Sequence, residues 1–194
     1  MPAPALRLLV GLGNPGPKYA GTRHNAGFWL VEALAAREGV GLRPERKFHG
    51  LAGRWQTAGI DVHLLCPTTY MNHSGRAVAA LARFHRVDPE AILVVHDEID
   101  LPAGAARLKR DGGHGGHNGL RDIIAALDTR AFARLRLGVG HPGSSDQVIP
   151  YVLHAPGREE RARIDAAIDD ALRVMPALAA GDWDRAQQAL HTRG

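Results

Sequence analysis

Ala5-Leu6-Arg7-Leu8-Leu9-Val10, closed at once by Gly11-Leu12-Gly13-Asn14-Pro15-Gly16, is the stretch on which the fold turns. A short apolar run stopped by glycine is the pattern of a buried strand. Downstream, Phe28, Val31, Leu34 and Ala35 recur at helical spacing, so the chain begins β then α. The alternation continues. Leu51 to Thr57 and Ile60 to Cys66 flank Ala58-Gly59 and read as a hairpin. Val78, Leu81 and Ala82 mark a second helix, and Ala91 to Val95 is another buried strand ending at His96-Asp97. Ala105 to Lys109 reads as a strand, Gly112 to Gly119 as a loop, Leu120 to Leu127 as a third helix and Leu135 to Val139 as a further strand. Arg158 to Met175 and Asp182 to Leu190 are expected terminal helices, separated by Pro176 and Gly181.

Strands alternating with helices predict an α/β fold: a single globular domain over residues 1–194, with a mixed twisted β-sheet and helices on both faces. A chain of 194 residues can bury roughly 70% of its unfolded surface, so it needs no covalent staples. The one cysteine, Cys66, cannot form an internal disulfide, which fits a reducing compartment and makes the cytoplasm the expected location. The N-terminal apolar stretch is too short for a signal-peptide core, and no run reaches the roughly 20 apolar residues of a membrane span. The net charge of +4 permits attraction to a polyanion. However, 21 of the 24 basic residues are Arg, which genome-wide composition explains as readily as phosphate binding.

In open α/β folds, sites collect beyond the carboxyl ends of the strands. Asn14, His24, Asn72 and Asp97 each follow an apolar run and precede, or begin, a helix. They can therefore converge despite their separation in sequence. The Gly11–Gly16 segment matches the G-x-G-x-x-G of a dinucleotide site, and Glu32 sits at a plausible offset for a ribose-binding acid. That reading would make the chain a nucleotide-dependent oxidoreductase. Pro15 and Pro17 oppose it, because they lack the N–H that a pyrophosphate needs and favour a turn. In that turn Asn14 is the side chain able both to donate and to accept.

His24 and Asp97 form a usable pair if they meet: a carboxylate that accepts from one imidazole nitrogen leaves the other free as a base. In Gly112-Gly113-His114-Gly115-Gly116-His117-Asn118-Gly119, so many glycines imply a loop with special angles or a close approach. Asn118 is an available N-cap for the helix that follows. His114 and His117 raise a metal reading, but the H-E-x-x-H and paired-cysteine patterns are missing, so no metal is expected. No G-x-S-x-G elbow is present either, which leaves activated water as the simplest nucleophile.

Five segments, in order along nearly the whole chain, carry a family resemblance. They are Gly11 to Gly16, Thr22-Arg23-His24-Asn25-Ala26-Gly27, Pro67-Thr68-Thr69-Tyr70-Met71-Asn72, His96-Asp97-Glu98 and Gly112 to Leu120. The chain resembles the bacterial peptidyl-tRNA hydrolases. The resemblance implies hydrolysis of the ester between a peptide and the 3′ end of tRNA, by a monomer without cofactor or obligate protein partner. It implies that His24 is the general base, that Asp97 orients it, and that Asn14 senses the N-blocked aminoacyl group. Tyr19, Tyr70, Asn72 and Asn118 match positions associated with the acyl and 3′-terminal end. Lys109 and Arg136 match phosphate-facing cations, and Arg107 stands where lysine is frequent. The competing expectations for these cations are solvation or pairing with Asp111 and Asp122. The competing expectation for the whole chain is a non-catalytic RNA-binding protein.

Overall fold

In the computed structural model, which describes residues 3–192, the opening apolar run becomes β1 (Leu8–Gly11), buried along its whole length. It lies between β4 (Ile60–Pro67) and β5 (Ile92–Glu98), parallel to both, with Leu9 opposite Leu64 on one side and Leu93 on the other. A strand covered on both faces needs no polar alternation, which is why this one reads as a continuous apolar run. β7 (Ala133–Gly138) continues the parallel set beside β5. Antiparallel strands close the two wings: β3 (Gly50–Thr57) and β2 (Arg43–Glu45) beyond β4, and β6 (Ala106–Arg110) beyond β7. The seven-stranded order is β2-β3-β4-β1-β5-β7-β6. The hairpin turns at Ala58-Gly59, where Gly59 takes a positive φ of 78°.

Helices cover both faces, as expected. One core lies beneath α2 (Ala26–Glu38), α6 (Arg158–Ala179) and α7 (Trp183–His191); the other lies beneath α3 (Ser74–Phe84) and α4 (Asn118–Leu127). Two short helices, α1 (Pro17–Ala20) and α5 (Val148–Val152), sit in the connections. The sheet edge at β6 is covered by side chains of α7: the Leu108 N–H donates to His191 Nε2 at 3.0 Å, and Gln187 Nε2 donates to Leu108 O at 3.4 Å.

Three expectations are corrected. β5 does not stop before His96-Asp97 but runs through Glu98, so Asp97 is a strand residue. Pro176 lies inside α6 and does not end it; it sits on the exposed side, while Met175, Leu178 and Ala179 around it are buried. Burial of those neighbours carries the helix onward past the hydrogen bond that proline cannot donate. The cap of α4 is His117, not Asn118: Nδ1 of His117 accepts from the N–H groups of Gly119 and Leu120 at 3.1 and 3.3 Å.

Glycines set the height of α2 above the sheet. A Cβ on Gly27 would lie 2.3 Å from Val95 O and 2.5 Å from Leu12 N, and one on Gly11 would lie 2.3 Å from Gly27 O. The start of α2 thus presses onto the carboxyl ends of β1 and β5, which sets His24, two residues before the helix, beside Asp97. These glycines serve helix-on-sheet contact rather than a pyrophosphate. Glu32 is exposed on the outer side of α2.

Candidate active site

His24 belongs to a 3₁₀ turn, Arg23–Asn25, leading into α2. The turn is held from three sides. Thr22 Oγ1 donates to Tyr19 O at 2.8 Å. Arg23 forms an ion pair with Glu160 of α6 at 2.9 Å, donates to Tyr151 O at 2.9 Å and stacks on the Tyr151 ring at 3.8 Å. Asn25, almost fully buried, forms a reciprocal pair with Asn14: its Oδ1 accepts from Asn14 N–H and its Nδ2 donates to Asn14 O, both at 2.9 Å. This fastens the loop after β1 to the turn carrying His24.

Within that frame, His24 Nδ1 faces both carboxylate oxygens of Asp97, at 3.0 and 2.9 Å. Nδ1 must carry the proton to bond a carboxylate, which leaves the Nε2 lone pair free. A second imidazole reaches the same acid. His117 Nε2 donates to Asp97 Oδ1 at 2.9 Å, its tautomer fixed because Nδ1 is already accepting from the two amides it caps. His96, buried beside them, faces the backbone carbonyl of Asp97 through Nδ1 at 2.8 Å. Burial, then the neighbouring His117, pushes its pKa down to about 3, so it is a neutral donor.

Electrostatics follow from this arrangement. Burial by itself would raise the Asp97 pKa, but the pull of His24 and His117 and the hydrogen bonds they donate overcome it, so the carboxyl stays ionised well below the usual range. For His24, burial acts downward, but the charge of Asp97 and its hydrogen bond act upward more strongly, leaving the pKa above the ordinary 6.5. Asp97 thus makes the His24 imidazole more basic.

Asn14 is brought to the same end of the sheet. The Met71 N–H donates to its Oδ1 at 2.7 Å, so the carboxamide oxygen is occupied and the NH₂ group is what remains to offer. Met71 and Asn72 lie on a 3₁₀ turn, Met71–His73, that packs against the start of α4. Asn72 and Asn118 therefore come from adjoining turns, and both are exposed. Tyr19 and Tyr70 meet edge to face at 6.4 Å, with the Tyr70 ring 59% exposed.

Arg107, Lys109 and Arg136 are not at His24 but displaced toward the sheet edge. Arg107 faces Arg136 across the β6–β7 ladder, and Lys109 faces Arg134, so four cations share one face. Like charges set opposite each other cost stability. Such a face suits a polyanionic ligand. Of the two acids, Asp122 accepts from Gly75 N–H at 2.7 Å, and Asp111 pairs with Arg130 at 3.9 Å and also acts on Arg134. Arg134 differs from its neighbours. It is 1% exposed, stacks on Phe132 at 4.1 Å and donates to Phe132 O at 2.7 Å and Gly112 O at 2.6 Å, anchoring the glycine-rich loop.

The sequence reading missed Asn25, Arg134 and the capping role of His117. Asn25 was visible only as the amide beside His24. The metal reading on His114 and His117 is not supported by their geometry: His114 Nδ1 accepts from Gly116 N–H at 2.9 Å, while His117 turns to Asp97. Among the described residues, the group that could hold an ion is His24, Asp97 and His117, with candidate atoms within 4.8 Å of one another. Each imidazole already presents an N–H to Asp97 there, and an ion would have to displace both protons. Chelation by EDTA is accordingly expected to leave hydrolysis unchanged; a loss that zinc restores would overturn this.

Comparison with known proteins shows the family. The profile of the peptidyl-tRNA hydrolase family matches residues 8–194. The peptidyl-tRNA hydrolase of Halorhodospira halophila is 63% identical over 185 residues, covering 95% of each chain. That of Pseudomonas aeruginosa is 58% identical over 190 residues, covering 97% of this chain and 98% of its own. The crystal structure of the Acinetobacter baumannii peptidyl-tRNA hydrolase superposes with a TM-score of 0.93 at 50% identity, covering 95% of this chain and 94% of that one. Matched by the family profile over residues 8–194 and by these relatives along nearly its whole length, this protein is a member of the peptidyl-tRNA hydrolase family.

Proposed function

We propose that the enzyme hydrolyses the ester between the peptide and the 3′ ribose of peptidyl-tRNA, with His24 as general base. The observation that carries this is the His24–Asp97 contact, which leaves Nε2 free. Nε2 takes a proton from water as the water oxygen attacks the ester carbonyl; the tetrahedral intermediate then collapses, and the same proton goes to the departing ribose oxygen. An ester has a good leaving group, so the route needs neither a covalent intermediate nor a metal. Asn72 and Asn118 supply exposed amide donors for the developing oxyanion.

Asn14 gives the selectivity a physical basis. With Oδ1 committed to Met71, it offers donors alone. They suit the acyl carbonyl of an N-blocked aminoacyl group and give no acceptor to a free α-ammonium. Tyr19 and Tyr70 line the approach. The deciding experiment compares N-acetylaminoacyl-tRNA with unblocked aminoacyl-tRNA: only the first should be cleaved. Binding without release of the acyl group would favour the non-catalytic RNA-binding reading, against which the family membership and the His24–Asp97 pair both weigh.

Lys109, Arg107 and Arg136 are the proposed phosphate contacts. Each neutralised phosphate releases condensed counterion, so Lys109→Ala, Arg107→Ala and Arg136→Ala should raise KM for full-length substrate and reduce the log–log salt slope by somewhat under about 1 each. A minimal ester of the terminal adenosine lacks those phosphates and should be cleaved as by the unaltered enzyme. Equal effects on both substrates would refute phosphate contact. Among the described residues, no helix is long and apolar enough to cross a membrane. A cytoplasmic monomer without cofactor, acting on the products of stalled translation, is the setting this reading implies.

A further inference from the structure

Around the end of α3 lies a second cationic surface with a different composition, to which the turn before β3 contributes Lys47. Phe84, in the last turn of α3, leaves 60% of its surface exposed. One face of its ring is covered by the Lys47 ammonium at 4.2 Å, and its edges meet Phe48 and His85 at 5.4 and 4.9 Å. His85 in turn stacks on His63 of β4 at 3.9 Å, with the rings 22° from parallel. Arg7 pins the end of the helix by donating to the carbonyls of Arg86 and His85 at 3.1 and 3.4 Å.

We propose that this surface binds single-stranded RNA other than the bound substrate, with a base stacked on Phe84 and the adjacent phosphates held by Lys47 and Arg7. Two observations select that occupant. The first is charge: Arg54, Arg7 and Lys47 act on the two histidines against one acid, Asp61, which Arg54 already holds through two hydrogen bonds at 2.7 and 2.8 Å. A polyanion is the complementary partner. The second is shape, because an exposed ring bordered by stacked planar groups and cations is how proteins hold unpaired bases without reading their sequence. Burial, then His85 and Arg54, pushes the His63 pKa down to about 4, and burial and Lys47 lower that of His85, so both rings are neutral planar surfaces near pH 7.

Position separates this RNA from the substrate. His63 is level with Leu8, where β1 begins, whereas Asn14 and Asp97 lie at the far ends of β1 and β5. The substrate cations are on the β6–β7 wing, and this surface flanks β4 on the opposite wing.

The test is fluorescence anisotropy of a labelled octauridylate with the full-length enzyme. Phe84→Ala should weaken binding about tenfold, the range of one lost base–aromatic stack. Lys47→Glu should weaken it and flatten its salt dependence. Both variants should cleave N-acetylaminoacyl-tRNA with unchanged kcat/KM, which also certifies their fold. Lys109→Ala should bind the oligonucleotide normally. Absence of saturable binding, as for a surface that docks a protein instead, would overturn the proposal. So would wild-type affinity in both Phe84→Ala and Lys47→Glu, or loss of binding in Lys109→Ala.

Discussion

His24→Ala is expected to lower kcat on N-acetylaminoacyl-tRNA by about 10²- to 10⁴-fold, the usual contribution of a positioned general base, while KM changes little. The side chain is 12% exposed and its hydrogen bond is to Asp97, so its removal opens no apolar void. The turn stays in place because Arg23 and Asn25 hold it through other contacts. Asp97 loses one donor but keeps His117, and water can enter at the mouth of the site. The cost in stability should therefore stay near the roughly 1–3 kcal/mol of one unsatisfied buried group. Single-turnover kinetics and thermal unfolding measured together check both halves. Turnover within a few-fold of the unaltered enzyme would remove His24 from the role of base.

Asp97→Asn should cost about as much in rate and should also change the pH dependence. Asn presents one acceptor and one NH₂ donor to two imidazoles that each donate, so one contact must break or one ring must change tautomer. In serine-protease triads the corresponding change costs about 10⁴-fold. In the unaltered enzyme the base works when neutral, and its pKa is raised, so activity should climb with pH through a midpoint above 6.5. Without the carboxylate, burial acts alone on His24, and the midpoint should move down. An unmoved acid limb in Asp97→Asn would sink the electrostatic role.

Stability follows the same linkage with opposite signs for the two partners. The raised His24 pKa gives stability that is present below 6.5 and lost as pH rises through the folded value. The depressed Asp97 pKa gives stability that is present above about 3.8 and lost as pH falls toward its lower folded value. Destabilisation by Asp97→Asn should therefore be greatest in the mildly acidic window between them. On the proposal that the two residues act as a unit, the double variant should be little slower than the worse single one.

What could be read from the chain divides along physical lines. β1 and the first half of β5 were legible because a strand buried on both faces is apolar throughout, and the β3–β4 hairpin because Gly59 allows a turn that few residues can take. β2 was not: Arg43, Pro44 and Glu45 are all exposed, and their strand character comes from pairing with β3 alone. Pro176 misled because local preference was outweighed by the buried residues around it. At the site, His24, Asp97 and Asn14 were legible as residue types after strands. Their three-way support was not. Nothing local to Asn25 announces a reciprocal pair with a residue 11 positions earlier. Likewise, histidine is not among the usual capping residues, yet an acceptor nitrogen aimed at two amides performs the same task in His117.

The cover that α7 places over β6 reaches beyond folding. A strand at the border of a sheet is a template on which another chain can assemble, and proteins commonly blunt such borders. Here the blunting is done in part by two side chains, His191 and Gln187, which occupy the N–H and C=O of Leu108 as a neighbouring strand would. Burial, with Arg107 and Arg136 adding to it, lowers the His191 pKa, which preserves Nε2 as an acceptor at neutral pH. The strand that carries Arg107 and Lys109 is thereby kept from recruiting a second copy of itself. The last helix thus guards the solubility of the chain at the same edge that gathers its positive charge.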